Sequence, residues 1–597
     1  MTSSFFHLLK RWILGEPGGY QGWLERNDRR TDAERQWIRE AAGRMPHKPV
    51  FSVVLPVYNP PPKILKLALE SVLKQLYPHW ELCIADDAST NPEVIEVLKD
   101  YAARDSRIKI TYRAKNGHIS AASNTALELA TGEWIALFDH DDELAEHALY
   151  CVAQEINDNP DAKLIYTDED KISVSGERSD PYFKPDWNPV LLTGQNFFNH
   201  LGVYRTDLIR SIGGFREGYE GSQDYDLLWR CVEKVKPEQI RHIPRILYHW
   251  RTLPGSVAEG MKVKSYAPAA ARRAMQEHLN REGIRGHVEK CLENMDMHRV
   301  VYDLPNPAPS VSVLIPMRDK VHLAQDCVET LKGITKYDNF ETVIINNDSQ
   351  EEASKAWLRE FAAQPRNKVV DVPGKFSYSR INNEAVKQTT SDILLFMNND
   401  IEILHEGWMT EMVSQVVQRN VAAVGARLWY PNKTMQHAGV IVGLGGIAGH
   451  HFGNSPRGRM EYFARNVLAQ NLSAVTAACM AVRRECFTKV GGFDEVNLPI
   501  QYNDVDLCLK LREAGYDIVW TPYADLLHHE SMSRGYNSTP EQMEVFEREK
   551  AYFKKRWAKW IAHDPAYNPN LTADHGDFGL ARVPRLPMPW RPKVQKD

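Results

Sequence analysis

With 597 residues, 43% of them hydrophobic and 25% charged, and a formal net charge of only −5, the chain has the composition of a folded, water-exposed protein and is too long for one hydrophobic core. So small a net charge makes no demand for nucleic acid as a partner. The eight cysteines stand apart, with no CxxC pair and no cysteine-histidine cluster at zinc spacing, which excludes a disulfide scaffold and a structural zinc site.

Residues 1–48 read as mostly helical. Within them Phe5, Phe6, Leu8, Leu9, Trp12, Ile13 and Leu14, beside Lys10 and Arg11, form either a short helix lying on a membrane surface or one packed on the protein's own body. They lack the uncharged core and small-residue cleavage site of a secretory signal, and the longest weakly polar run, Ala438 to Gly449, is far short of the roughly 20 residues that cross a bilayer. The expected location is therefore the cytoplasm, with peripheral contact on the inner face of the cell membrane as a further option.

A first domain is expected over residues 49–255. It opens on FSVVLPVYN (51–59), an apolar, β-branched run closed by proline, as a buried parallel strand entering a loop reads. A helical stretch follows, then a second strand ending in polar residues, ELCIADDAS (81–89), which completes a βαβ unit. Farther on come SNTALELATGEWIALFDHDDE (123–143), a Gly213-Gly214-Phe215 element and SQDYDLLWR. Residues 256–307 form an alanine-rich helical linker that ends in the proline-punctuated LPNPAPS.

The second domain, expected over 308–560, repeats the plan with VSVLIPMRD (311–319), ETVIINNDS (341–349), NNEAVKQTTSDILLFMNNDIE (382–402), Gly491-Gly492-Phe493 and YNDVDLCLK. Asn124 precedes Asp139 by 15 residues and Asn383 precedes Asn398 by 15, which places Asp141 and Asp400 in register; Asp224 to His249 and Asp504 to His529 are both 25. Residues 561–597 read as an extended, basic, proline-rich tail.

Asp139, Asp141, Asp142 and Glu143 put four carboxylates into five residues directly after the apolar run WIALF. Carboxylates held so close raise one another's pKa unless a cation lies among them, so a divalent metal explains the cluster, with a solvated turn or helix cap as the plainer alternative. Its place beyond the carboxyl end of a predicted strand, where open α/β sheets bind ligands, favours the metal. The second domain reads Asn398-Asn399-Asp400-Ile401-Glu402 there, leaving Asp400 to hold magnesium through one carboxylate together with diphosphate oxygens.

Asp86 and Asp87, at the tip of the second strand, are placed to accept from the ring N–H of a uracil or thymine. Asn346, Asn347 and Asp348 keep acceptors at the same place with less charge, and turn capping is the alternative for each. Asp224 and Asp504 each open an apolar helical pattern, where the helix dipole keeps a carboxylate ionised for work as a general base or for a plain N-cap. Asp226 and Asp506, two positions on, read as structural. His249 and His529 offer a neutral nitrogen to a metal or simply pack, and His528 is able to exchange roles with its neighbour. No P-loop, no GxSxG elbow and no GxGxxG after a strand appears, which argues against the common kinases, hydrolases and dehydrogenases.

The ordered pairs PVYN and PMRD, ADDAS and INNDS, FDHDD and MNNDIE, GSQDYD and YNDVDLC, YHWR and HHESMSRG span nearly all of both domains. In them the chain resembles the family 2 glycosyltransferases, and is similar to bacterial two-domain transferases that extend surface polysaccharides such as O-antigen, often rhamnose-rich ones. The resemblance implies two tandem GT-A domains, Rossmann-like α/β folds that bind nucleoside-diphosphate sugars. It makes Asp139 and Asp141 the metal-binding DxD motif, Asn398 and Asp400 its degenerate copy, His249 and His529 further ligands of Mg²⁺ or Mn²⁺, and Asp224 and Asp504 the catalytic bases. The nucleotide sugar would meet Pro56, Tyr58, Asn59, Asp86, Asp87, Asn116 and Asp139 in the first domain, and Pro316, Arg318, Asn346, Asn347 and Asn398 in the second. Asn346 stands where the family has aspartate.

The implied donor is a dTDP-, UDP- or GDP-sugar and the implied acceptor a glycan carried on a polyprenyl lipid, attacked with inversion. Two readings follow: two active sites adding successive sugars, or one catalytic domain beside a glycan-binding or scaffolding module, with the Asn-rich loop marking the second domain as the suspect. A nucleotidyltransferase would need a glycine- and lysine-rich loop after the first strand, and PVYNPPP is not one.

Overall fold

The computed structural model describes residues 18–253, 266–291, 296–530 and 539–591. The amphipathic stretch within residues 5–14 lies outside them, and no helix among the described residues is long and apolar enough to cross a membrane.

The first sheet contains β1 (Phe51–Val57), β2 (Trp80–Asp86), β3 (Ile108–Tyr112), β4 (Trp134–Leu137), β5 (Glu143–Leu144), β6 (Leu164–Ile172), β7 (Arg178–Tyr182), β8 (Gly202–Arg205) and β9 (Ile240–Arg251). All seven residues of β1 are buried, as expected of a strand paired in parallel on both sides, with β2 and β4, and covered on both faces. Strand order is β3-β2-β1-β4-β8-β6-β9-β5, with β7 beside β6. The linker supplies the helix Ala267–Arg281 and a hairpin of β10 (Gly286–Lys290) and β11 (His298–Tyr302).

The second sheet contains β12 (Val311–Met317), β13 (Phe340–Asn346), β14 (Asn367–Asp371), β15 (Ile393–Met397), β16 (Ile401–Ile403), β17 (Val421–Trp429) and β18 (Met435–His437). After a separate hairpin of β19 (Val440–Val442) and β20 (Ala448–His450) it is completed by β21 (Gln470–Leu472), β22 (Cys479–Arg483) and β23 (Asp517–His528). Its order, β14-β13-β12-β15-β22-β17-β23-β16, matches the first sheet strand for strand. The repeat visible in the sequence is thus a repeat of the whole topology.

The GGF elements also acquire a reason. Asn124 and Asn383, on the helices before the two acidic loops, each exchange two hydrogen bonds with the backbone of Phe215 and Phe493. Gly214 and Gly492 lie at φ +70° and +67°, and a Cβ there would stand 2.5 and 2.7 Å from the asparagine oxygens. This clasp fixes the turn that leads into each aspartate-bearing helix.

The domains differ between the sixth and eighth strands of the plan. There the first has only β7, beside β6, whereas the second carries β18, beside β17, and then β19 to β21, and this longer segment seats against the first domain. Asn188 and Asn471 exchange side-chain-to-backbone hydrogen bonds of 2.8 and 2.9 Å, and the rings of Tyr182 and Phe463 stack at 3.7 Å. The carboxy-terminal segment is irregular, as read from sequence, yet it is not a free tail. Asp564 accepts from Val442 N and Ser473 Oγ in the second domain, Asn568 donates to Asp168 in the first, and Trp590 packs into the first domain's core. All eight cysteines are buried and none is in a disulfide.

Candidate active sites

Both candidate sites lie at the carboxyl ends of the parallel strands. In the first domain Asn59, at φ +45°, uses its Oδ1 to accept from the backbone N–H groups of Thr90 and Asn91, tying the loop after β1 to the loop after β2. Asp319 does the same in the second, at φ +52°, for Gln350 and Glu351. Asn59 is therefore occupied as a clasp, while Tyr58 and Arg318 beside the clasps are exposed.

The paired aspartates after β2 separate into two roles. Asp87 is engaged by Arg113 Nε at 2.8 Å and by Gly117 N at 2.9 Å, and Asn116 donates to its carbonyl, so Asp87 and Asn116 shape the loop. Asp86 accepts from Ser89 N at 3.1 Å through Oδ2, and its buried Oδ1 has no hydrogen-bond partner among the described groups. In the second domain Asn346 keeps the bond to Ser349 N but spends its amide on Asp371. Asn347 donates to the carbonyls of Val372 and Gly374, and it is its Oδ1 that is buried without a partner.

One cavity gathers Pro56, Ser123, Asp139, Asn199, His200 and Asp224. Asp139 comes from the acidic loop after β4 and Asp224 from the second residue of the helix Gln223–Val232, so the loop and the helix-borne carboxylate face the same space. Burial raises Asp224 above the ordinary carboxylate range. The side-chain amides of Asn196 and Asn199 both donate to its Oδ2. Asp226, two positions on, is enclosed by Arg216 and Arg230 and serves the fold.

Asp142 belongs to the fold as well, accepting from Tyr248 OH at 2.5 Å and Arg251 N at 2.7 Å. Burial, reinforced by the charges of Asp141 and Asp139, pushes its carboxyl well above the usual range. His200 was not visible as a site residue in the sequence. Its Nδ1 meets Glu169 Oε2 at 2.9 Å and its ring stacks on Tyr248 at 4.6 Å. Burial opposes its charge, but Glu169, Asp139 and Asp142 outweigh burial and raise it to about 9, placing an imidazolium against the cavity. Neither His200 nor the two asparagines falls in a repeated motif: Ala477 and Ala478 precede β22 where Asn199 and His200 precede β8.

His249 lies opposite Glu143 across the β5–β9 ladder, and its Nδ1 is 2.6 Å from Asp170 Oδ1. A carboxylate only accepts, so Nδ1 carries the hydrogen, which in the neutral ring leaves Nε2 as the nitrogen able to bind a metal.

In the second domain Asp504 stands at the second position of the helix Asn503–Glu513, and its Oδ2 accepts from Ala477 N at 3.1 Å. The next residue, Ala478, accepts from Asn398 N at 3.0 Å, so two consecutive residues join the acidic loop to the helix-borne carboxylate. His529 does not reach Asp400 with its ring, which meets Glu402 Oε2 at 3.2 Å; His528 Nε2 is the group at 3.1 Å from Asp400 Oδ1 and 3.3 Å from Asn398 Nδ2. The equal 25-residue spacing conceals a shift in the sheet: Glu143 pairs with His249, whereas its counterpart Glu402 pairs with Leu527.

Carboxylate oxygens with one imidazole nitrogen suit Mg²⁺ or Mn²⁺, and Asp139, Asp141 and His249, or Asp400 and His528, supply that donor chemistry. Among the described residues no group of three or more histidine, cysteine or acidic side chains is gathered on one point, so the donors lie near their loops without forming a closed cage.

The family model described as glycosyl transferase family 2 matches residues 52–212 and 312–491, more than half of the chain. The protein y4gI of Sinorhizobium fredii is 47% identical over 91% of this chain and 60% of its own length. The O-antigen biosynthesis protein RfbC of Myxococcus xanthus is 36% identical over 92% of this chain and 42% of its own length. The chain thus spans about half the length of the curated relatives it matches. A crystal structure of S. aureus TarS residues 1–349 in complex with UDP-GlcNAc is 21% identical, with a TM-score of 0.32 over 39% of this chain and 66% of that one.

Proposed function

The chain belongs to glycosyltransferase family 2, and from that premise we propose that it moves sugars from nucleoside-diphosphate donors to a growing bacterial surface polysaccharide, with a metal-dependent, inverting centre in each domain. The observation that carries the reading is the single cavity lined by both Asp139 and Asp224. Likeness to an O-antigen biosynthesis protein supports a polysaccharide product. The donor is a dTDP-, UDP- or GDP-sugar, and the acceptor is a lipid-linked glycan met at the cytoplasmic face.

In this mechanism Asp86 receives the N3–H of a uracil or thymine on its open Oδ1. Asp139, Asp141 and His249, or Asp400 and His528, would hold the divalent cation, which would supply the positive charge that the departing diphosphate needs. Asp224 or Asp504 takes the proton of an acceptor hydroxyl as its oxygen forms the new bond to the anomeric carbon and the bond to the diphosphate oxygen breaks from the opposite face. Burial, which raises Asp224, makes it a stronger base, and the amides of Asn196 and Asn199 stabilise the ionised form it starts from.

The test is a product analysis with several nucleotide sugars and Mn²⁺, comparing Asp224→Asn with Asp504→Asn. Each substitution is expected to lower formation of a different linkage by about 10²–10⁴-fold, the worth of a positioned base. Unchanged products from Asp504→Asn would remove the second domain from the catalytic account.

A further inference from the structure

The histidine that meets the second acidic loop is not buttressed by a carboxylate as His249 is. His528 Nδ1 lies 2.6 Å from Gln436 Oε1, and Gln436 Nε2 lies 3.1 Å from Glu530 Oε2. The chain of donors has one solution. Glu530 only accepts, so Gln436 presents its NH₂ to Glu530 and its carbonyl to His528, and His528 Nδ1 must carry the hydrogen. The lone pair of the neutral ring is then confined to Nε2, the atom facing Asp400 Oδ1 at 3.1 Å. Asn398 Nδ2 donates toward Nε2 at 3.3 Å, but Asp400 Oδ1 is a second acceptor turned toward the same atom, and on residues only 6% exposed each that meeting calls for a proton or a cation between them.

We propose that Gln436, held by Glu530, is a positioning residue that fixes the tautomer of His528 so that Nε2 and Asp400 together take a divalent cation in the second domain. The inference rests on the metal-dependent reading of that domain. Gln436 sits on β18, which pairs with β17 as β7 pairs with β6 in the first domain, so the second centre takes its histidine anchor from the outlying strand of the plan. In the first domain Asp170 does the same service for His249 from β6. The two anchors act on the same ring atom by different chemistry, an anion in one case and a neutral amide in the other. The neutral anchor suits a loop with one aspartate, because it adds no second negative charge beside the ring.

The experiment is a Mn²⁺ titration of the intact chain followed by the electron paramagnetic resonance of free Mn²⁺, without nucleotide. Asp139→Asn in every protein silences the first centre so that the second is read alone. Gln436→Leu is expected to weaken the remaining site about 10–100-fold, the usual cost of losing an outer-shell partner, whereas the exchange Gln436→Glu with Glu530→Gln, which keeps one amide and one carboxylate and still accepts from Nδ1, should hold it within a few-fold. Parental affinity in Gln436→Leu, or equal loss in the exchanged pair, overturns the positioning role while leaving the metal site standing. Parental affinity in Asp400→Asn and His528→Ala overturns the metal reading of the second domain and the inference with it. Independently of any variant, ¹⁵N spectra of the histidine rings in the metal-free chain should show His528 with hydrogen on Nδ1 and a bare Nε2; hydrogen on Nε2 alone contradicts the proposal.

Discussion

The two centres occupy the same positions of the same sheet order and meet their electrostatic needs differently. The first concentrates charge: four carboxylates in five residues, an imidazolium at His200, and a helix-borne aspartate held by two side-chain amides. The second carries less charge: Asn398 and Ile401 replace two acids of the loop, a backbone N–H holds Asp504, and a glutamine anchors His528. Topology therefore fixes where a group stands, while the charge it carries is set locally and varies between copies.

The largest expected difference concerns pH. In the first domain His242 lies 2.9 Å from both Asp168 and Asp186; burial opposes its charge, but these carboxylates raise it to about 9. A histidine raised on folding stabilises fully below its unfolded value near 6.5 and loses that contribution as pH climbs through 9, here about 3 kcal/mol. In the second domain burial holds His437 and His451 well below the ordinary value. The unfolded chain then takes up protons that the fold refuses, so stability is lost as pH falls below about 6.5. Calorimetry across pH 5 to 9 should show the alkaline loss in the first domain, and an acid loss in both, since burial holds His147 of the first domain low as it does His437 and His451 of the second. His242→Gln should lessen the alkaline limb, His200 supplying the remainder, and leave the acid limb unchanged.

A smaller effect is expected from Asn199→Leu, which removes an amide from a buried carboxylate. Hydrogen bonds to charged groups contribute about 1.5–3 kcal/mol, so the first linkage should form roughly 10–100-fold more slowly at neutral pH, with its acid limb moved upward. The second linkage, whose aspartate leans on Ala477 N, should not change. The smallest effect sharpens the contrast from the other side: Asn398→Asp adds the missing loop carboxylate and should tighten Mn²⁺ at the second centre about tenfold, as measured by calorimetric titration.

Much of this organisation was legible in the sequence because it is local or repeated. Apolar runs closed by proline gave β1 and β12, and the five paired motifs gave the duplication. Asp139 and Asp224 were legible as candidates because each carries a motif at a strand end or a helix start, and both line one cavity. What the sequence concealed depends on pairing across the sheet. Counting from Asp504 selects His529, but the β16–β23 register presents His528 to Asp400. His200, Asn196 and Asn199 lie in an irregular connection without a counterpart in the other copy, and the division of labour between Asp86 and Asp87 is set by Arg113, which no local pattern links to them. The carboxy-terminal segment likewise gives no periodic signal, since it is held by single anchors such as Asn568 and Trp590 rather than by an apolar face.

The most direct test of the account is the anomalous scattering of Mn²⁺ in crystals of the intact chain soaked with Mn²⁺ and UDP. The account predicts two peaks, one between the loop of Asp139 and Asp141 and the cavity that Asp224 lines, the other beside Asp400 and His528. Ordered Mn²⁺ bound elsewhere, with both acidic loops bare while the nucleotide is in place, would contradict it.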